Sequence, residues 1–296
     1  MNLTLLEKST YYSLTLISFI INFLPRYLSK MLGMMLGDFM RIIIPIRKNV
    51  AIQNLKIAFP NKSNNEINRI IKQCYRHFGI IFIDLFRTFT LNKEKLNKLV
   101  EISKLDLKML REDNGGIIVT GHIGNWELFL PIFGLNNIPF FAIAQYQRNK
   151  GAQKFFKKMR EKHNSKTILK GISSKDLISI INNNKYLGLA SDQNAGKKGT
   201  MVPFFGKDTS VPKGAGIFHI KTKCPIFICY CIADRNYNYN FMVNKLNLDN
   251  FQEDTNDKLF NISRVISDDL EKIVLLYPEQ YFWFHRKWPK KIYKTK

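Results

Sequence analysis

The sequence predicts an α/β fold: a mixed, largely parallel sheet flanked by helices, with an N-terminal membrane-associated helical segment. Three observations carry this expectation. From residue 117 onward, short apolar runs rich in Ile, Val, Phe and Tyr alternate with segments of helical period, the grammar of a sheet covered on both faces. Apolar residues make up 45% of the 296, enough for one sizeable packed core. The first 45 residues are different again, with long uncharged stretches punctuated by single cations.

The elements follow in order. Between Lys8 and Arg26 lies "STYYSLTLISFIINFLP", 17 residues without a charge. A membrane-spanning helix takes about 20. The stretch lacks a small-residue cleavage site, which argues against a removable signal peptide. A second apolar patch, "MLGMMLGDFMRIIIPI", follows, and Lys8, Arg26, Lys30 and Arg41 flank the two. One short tilted anchor helix fits this pattern, as do interfacial helices on an anionic leaflet; a helix docked on the protein's own core is the plainer alternative. Residues 1–45 are therefore expected as an anchor or interfacial segment and 46–296 as the main domain.

Residues 46–60 read as a basic amphipathic helix stopped by Pro60. Ser63 and Glu66 form a capping-box pattern opening a helix that runs to about Phe89. Then come the strand "IIVT", the helix "NWELFLPIFG", the strand "PFFAIAQY" and the helix "GAQKFFKKMREKH". They are followed by the strand "KTILK", the helix "SSKDLISIINNN", the strand "YLGLAS", a helix near 212–222, the strands "PIFICYCI" and "NFMVNKL", and a last helix over 256–276.

The net charge of +23 predicts an anionic partner: nucleic acid, an anionic membrane face or an acidic ligand. The lysines are spread out, with no basic arm and no RNA- or DNA-binding motif, so nucleic acid is disfavoured. Cys229 and Cys231 alternate onto one face of a buried strand, and neither they nor Cys74 and Cys224 show zinc-site spacing. They read as core thiols in a reducing compartment, with no metal expected.

In such sheets ligands collect at the carboxyl ends of strands. His122 lies just past strand 117–120, and Asp192 just past 187–191. Around His122 the sequence is "GHIGNWEL". Asn125 is a good N-cap, which would start a helix at Trp126 and put Glu127 in its first, electropositive turn. Gly121 and Gly124 let the turn fold back, so that Glu127 is expected to meet the imidazole. A carboxylate on one ring nitrogen fixes the tautomer and raises the basicity of the other, giving a general base for a substrate hydroxyl. The bland reading of the same turn is a surface loop with a helix-capping acid.

"GHIGNWEL", "SDQNAGKKGTMVPFFGKDT" and "YPEQYFWFHRKWPKK", in this order, resemble the three signature blocks of the lipid A biosynthesis late acyltransferases, within the wider His-x4-acid glycerolipid acyltransferase group. "NLKIAFP" (54–60) is similar to the segment that follows the family's membrane-associated start. The chain departs at Asp84, where the family often has Glu, and at Arg286-Lys287, where it often has two arginines. The resemblance implies acyl transfer from an acyl carrier protein or acyl-CoA thioester to a hydroxyl of a Kdo-bearing lipid A precursor, at the cytoplasmic face of the inner membrane. The partners would be that donor, a glycolipid acceptor and an anionic membrane surface; no cofactor is implied.

On this reading His122 takes the acceptor proton, Glu127 orients it, and backbone N–H groups near Asn125 receive the oxyanion. Arg160 matches a family arginine that would hold a phosphate or help at the oxyanion, against the alternative of one more cation on a solvated helix. Asp192, with Gln193 beside it, would bind the acceptor's sugar or position Arg160, or else is only a strand-end acid. His285, Arg286 and Lys287, with Trp283 and Trp288, would present a basic aromatic surface to lipid head groups, or else a solvated tail. "VPFFG" would line an acyl groove or simply pack a loop. His77, His163 and His219 read as structural. A thioesterase using the same pair with water, or a transferase acting on another glycolipid or an amino-acid lipid, remain the alternatives.

Overall fold

The computed structural model describes residues 3–248 and 255–293. Seven strands form one sheet and two more a separate hairpin. In chain order the helices are α1 (Leu5–Phe23), α2 (Arg26–Ile42), α3 (Lys48–Ala58), α4 (Asn64–Arg87), α5 (Lys93–Leu99), α6 (Lys104–Glu112), α7 (Phe129–Leu135), α8 (Lys150–Arg160), α9 (Ser174–Asn182), α10 (Gly214–Thr222) and α11 (Thr255–Leu276). The strands are β1 (Val100–Ile102), β2 (Gly116–Thr120), β3 (Phe140–Ala144), β4 (Lys166–Leu169), β5 (Tyr186–Ala190), β6 (Thr200–Phe204), β7 (Lys207–Val211), β8 (Ile226–Ala233) and β9 (Tyr239–Lys245).

The large sheet runs β1-β9-β8-β2-β5-β3-β4. All its pairings are parallel except β8 with β9. β2 and β8 are almost wholly buried, as their unbroken apolar runs require of strands covered on both faces. Cys229 and Cys231 are free, fully buried thiols in β8. β2 and β5 pair in register from Gly116↔Tyr186 to Thr120↔Ala190, so their carboxyl ends finish side by side. That alignment brings the loops after the two strands, which carry His122 and Asp192, together.

The capping box at Ser63 and Glu66 is formed, and α4 continues for 24 residues to Arg87. The N-terminal segment is two helices broken at Pro25, not one. Among the described residues no helix is long and apolar enough to cross a membrane. α2 lies against α4 through small residues: a Cβ on Gly33 would come within 2.5 Å of the Ile80 backbone, and one on Gly79 within 2.1 Å of the Gly33 carbonyl. With its small face turned inward, α2 leaves Met31, Met35, Phe39 and Ile42 exposed, and α1 likewise leaves Leu16, Ile17, Phe19, Ile20 and Phe23 exposed. Large apolar side chains left exposed along helix faces mark a binding face.

"VPFFG" forms the end of β6 and the turn into β7, with Phe205 and Gly206 both at positive φ, as a two-residue hairpin turn demands. Phe204 packs against Tyr281 and Trp288 in the core. The segment is therefore hairpin packing and does not line the cleft described below.

Candidate active site

β2 ends at Thr120 and the chain folds back sharply. Gly124 has φ of +60°, and a Cβ there would collide with the Cys231 carbonyl at 2.1 Å, so the turn needs glycine. The N–H of Gly124 donates to Gln280 O and that of Asn125 to Cys231 O. The C-terminal segment ties the same loop down from the other side, where Phe282 N–H donates to His122 O. The helix expected from Trp126 begins instead as a short 3-10 turn over Trp126–Leu128, and α7 starts at Phe129. Asn125 makes no side-chain cap; it is 1% exposed and its Oδ1 has no hydrogen-bond partner. The Gly124 and Asn125 N–H groups are both committed, which leaves the expected oxyanion role near Asn125 to the N–H groups that open the 3-10 turn at Trp126.

The partner of His122 is Asp192. The imidazole Nδ1 lies 2.7 Å from Asp192 Oδ1. This corrects the expected contact with Glu127, which instead meets Arg160: Nε donates to Oε2 at 3.0 Å and an Nη to Oε1 at 2.6 Å. The physical reason lies in the register. Asp192 follows β5 as His122 follows β2, and adjacent parallel strands ending level deliver their loops to one point. Glu127 is carried round the 3-10 turn toward α8, where the guanidinium offers a bidentate match to a carboxylate. Gln193 Nε2 sits 3.5 Å from the same His122 Nδ1, at the outer edge of contact.

The two members of the dyad differ in exposure. The His122 side chain keeps 23% of its surface open and that of Asp192 only 4%, so the ring is reachable and its carboxylate shielded. Burial alone would depress the His122 pKa, but the charge and hydrogen bond of Asp192 outweigh it and raise the pKa above 6.5. Glu127 adds a smaller electrostatic contribution in the same direction. For Asp192, burial pushes upward, yet the facing imidazole and Lys287 bring it down to about 2. With Nδ1 held by Asp192, Nε2 is the nitrogen left for a substrate proton.

His122, Trp126, Glu127 and Arg160 line one cleft of about 330 Å³. Its apolar lining is Phe129, Leu130, Phe140, Ile143 and Leu189, with the small residues Ala142, Ala144, Gly188 and Ala190 of β3 and β5. A cleft with an imidazole among largely apolar walls can hold an apolar group beside the base.

The family model for bacterial lipid A biosynthesis acyltransferases matches residues 3–290. The chain belongs to this family. It is 22% identical over 255 residues to the lipid A biosynthesis palmitoleoyltransferase of Escherichia coli (strain K12), covering 85% of this chain and 81% of that one. The lipid A biosynthesis acyltransferase of Shigella flexneri matches to the same extent.

For a lipid A biosynthesis acyltransferase, the C-terminal block was expected to face lipid, and most of it does not. Trp283 and Trp288 are 0% and 1% exposed, both in the main core cluster. Asn54 donates to the carbonyls of Trp283 and His285, which fastens the segment to α3. His285 accepts from Asn194 N–H at 3.3 Å, and burial lowers its pKa, so it carries no head-group charge at neutral pH. Arg286 remains exposed over the Tyr293 ring.

Lys287, expected on that basic surface, turns inward instead. It is 2% exposed, donates to the Asp192 carbonyl at 2.5 Å and lies 4.3 Å from the Phe204 ring centre. Burial lowers its pKa to about 8. A lysine in a basic tail carries no sequence signal that it turns inward.

The other histidines are structural as expected, though two have partners. His163 bonds Thr88 O at 2.9 Å and His219 bonds Cys224 O at 2.8 Å. His77 is fully buried, with its pKa lowered by burial to about 3.

Proposed function

We propose that this lipid A biosynthesis acyltransferase moves a fatty acyl group from a thioester, carried by an acyl carrier protein or CoA, to a hydroxyl of a lipid A precursor at the cytoplasmic face of the inner membrane. The observation that carries the chemistry is the His122–Asp192 dyad opening onto an apolar cleft. His122 Nε2 removes the proton of the acceptor hydroxyl as its oxygen attacks the thioester carbonyl. Asp192 holds the ring in the tautomer that leaves Nε2 basic and stabilises the imidazolium that forms. The tetrahedral intermediate then expels the thiolate, which takes the proton from His122, and the ester is complete.

Arg160 has five N–H donors, and Glu127 engages its Nε and one Nη. The remaining donors, with the N–H groups at the start of the 3-10 turn, would stabilise the oxyanion. Glu127 is then a positioning residue that holds the guanidinium. The acyl chain lies along the slot between Phe129, Phe140 and Leu189, beside the small residues of β3 and β5. The exposed apolar faces of α1 and α2 lie in the membrane interface, where the acceptor resides.

Mass spectrometry of lipid A from cells with and without the gene tests this reading. A difference of one acyl chain is expected. Identical lipid A would overturn the acceptor assignment. The purified enzyme assayed with an acyl carrier protein thioester and with acyl-CoA separates the two donors.

A further inference from the structure

A second cavity of about 450 Å³ lies between α1, α8 and the 3-10 turn Thr88–Thr90 that follows α4. α8 divides it from the catalytic cleft: Arg160 belongs to the cleft, whereas Phe155 and Lys158 line the second cavity, with Lys162 just beyond the helix. One side of this cavity is aromatic, with Tyr11, Phe19, Phe23 and Phe89. The other side is cationic, and its three ammonium groups converge on one turn. Lys162 Nζ lies 4.4 Å and Lys158 Nζ 5.9 Å from the Phe89 ring centre. Lys162 also donates to Phe89 O, and Lys95 donates to Thr90 O at 3.4 Å.

The turn's carbonyls hold two of these lysines, as cations at a helix C-terminus are commonly held. They do not neutralise them. Each ammonium has three donors, and one carbonyl uses one. Among the described residues none of Lys95, Lys158 and Lys162 has a carboxylate within ion-pair distance; Glu94 is paired with Lys98 at 2.7 Å and Asp84 with Arg26, while Glu161 keeps its charge but is turned to Thr167. A further lobe of about 400 Å³ shares Asn22, Thr90 and Lys95 with this cavity and adds Arg87. Like charges gathered without a paired counter-charge cost energy that a bound anion would relieve. Phe19 and Phe23, which line the cavity, are 61% and 73% exposed and continue the apolar face of α1.

We infer that this cavity binds a lipid phosphate: the phosphate on the lysines, the first carbons of its chains on the aromatic wall, and the tails running out along α1. The inference extends the membrane reading of α1 but does not need the catalytic one. The amphiphile is either the acceptor's own phosphate or an anionic phospholipid of the bilayer.

Two binding arms test it on the full chain, comparing wild type with Lys158→Gln/Lys162→Gln and with the charge-matched control Lys197→Gln/Lys198→Gln. In the first arm the probe is monomeric dihexanoyl phosphatidic acid, which needs no membrane. The site variant is expected to lose about tenfold or more in affinity and the control to lose little. In the second arm, phosphatidylcholine vesicles with and without phosphatidylglycerol should show that the site variant loses only the anionic increment. Failure to bind vesicles with intact binding of the short-chain lipid would sink the membrane reading and leave the site standing. Equal losses in both variants would mean diffuse charge and overturn the site. Inorganic phosphate binding as well as the short-chain lipid would overturn the lipid assignment, as would a site variant impaired only toward an acidic carrier protein. A rise in acceptor KM at unchanged kcat in the site variant identifies the acceptor's phosphate as the ligand; an unchanged KM with the vesicle effect identifies a bilayer phospholipid.

Discussion

Two acid–base pairs flank the turn "GHIGNWE", and they are built differently. His122 and Asp192 come from the ends of adjacent parallel strands, with a ring that can lose its proton facing a carboxylate that is shielded. Glu127 and Arg160 come from a 3-10 turn and the end of α8, with a guanidinium that stays charged at any working pH. The first pair can move a proton; the second can only hold charge in place. Sequence distance hides this division. Five positions separate His122 from Glu127, yet the carboxylate that meets the imidazole is 70 positions away.

The largest effect is expected at the base itself. His122→Ala should lower kcat about 100- to 10,000-fold with little change in melting temperature, because the residue sits in a turn. Retention of more than about a tenth of the wild-type rate in purified enzyme would remove His122 from the mechanism. Asp192→Asn comes next, on the order of 100-fold or more in kcat, since the imidazolium loses its counter-charge and the amide can present the wrong hydrogen-bond partner to Nδ1. Its pH profile should change as well. The base works when neutral, so wild-type activity falls as pH drops through the raised His122 pKa, above 6.5. Without the Asp192 charge, burial prevails, and the acid limb moves to lower pH.

Glu127→Gln breaks the other pair and should cost about tenfold to 100-fold, mostly in kcat, with the pH profile little moved. If the two residues act as one unit, Glu127→Gln combined with Arg160→Lys should cost scarcely more than either alone; additive losses would show that they act separately. The smallest effect on chemistry is expected from Phe19→Ser/Ile20→Ser/Phe23→Ser on α1. The apolar face should lose vesicle binding, while turnover of acceptor in detergent micelles stays within a few-fold. Vesicle binding equal to wild type would move the membrane contact elsewhere.

The order of strands and helices was legible because β2 and β8 are buried on both faces and must be continuous apolar runs, while α4 and α9 announce themselves with Ser caps. Other elements were not, and α5 and α6 had no counterpart in the expected order. β1 is only three residues long at the sheet edge, too short for a period. The β6–β7 hairpin carries its apolar residues for packing against Trp288, which resembles a ligand-lining loop in sequence. The last block reads as a basic aromatic surface, but Asn54, Asn194 and Thr209 draw its carbonyls inward, and Lys287 follows them. Within the site, the shared strand-end position of His122 and Asp192 was visible. Their pairing was not, because it depends on the β2–β5 register, which no spacing within one segment encodes.

The central claim is that Asp192, not Glu127, controls the proton affinity of His122. An NMR titration of the His122 ring measures this without requiring turnover, with the resonance assigned by its loss in His122→Gln. In wild type the midpoint should lie above 6.5; in Asp192→Asn it should fall below that value; in Glu127→Gln it should drop by the smaller amount. A larger drop in Glu127→Gln than in Asp192→Asn would contradict the account and make Glu127 the residue that sets the base.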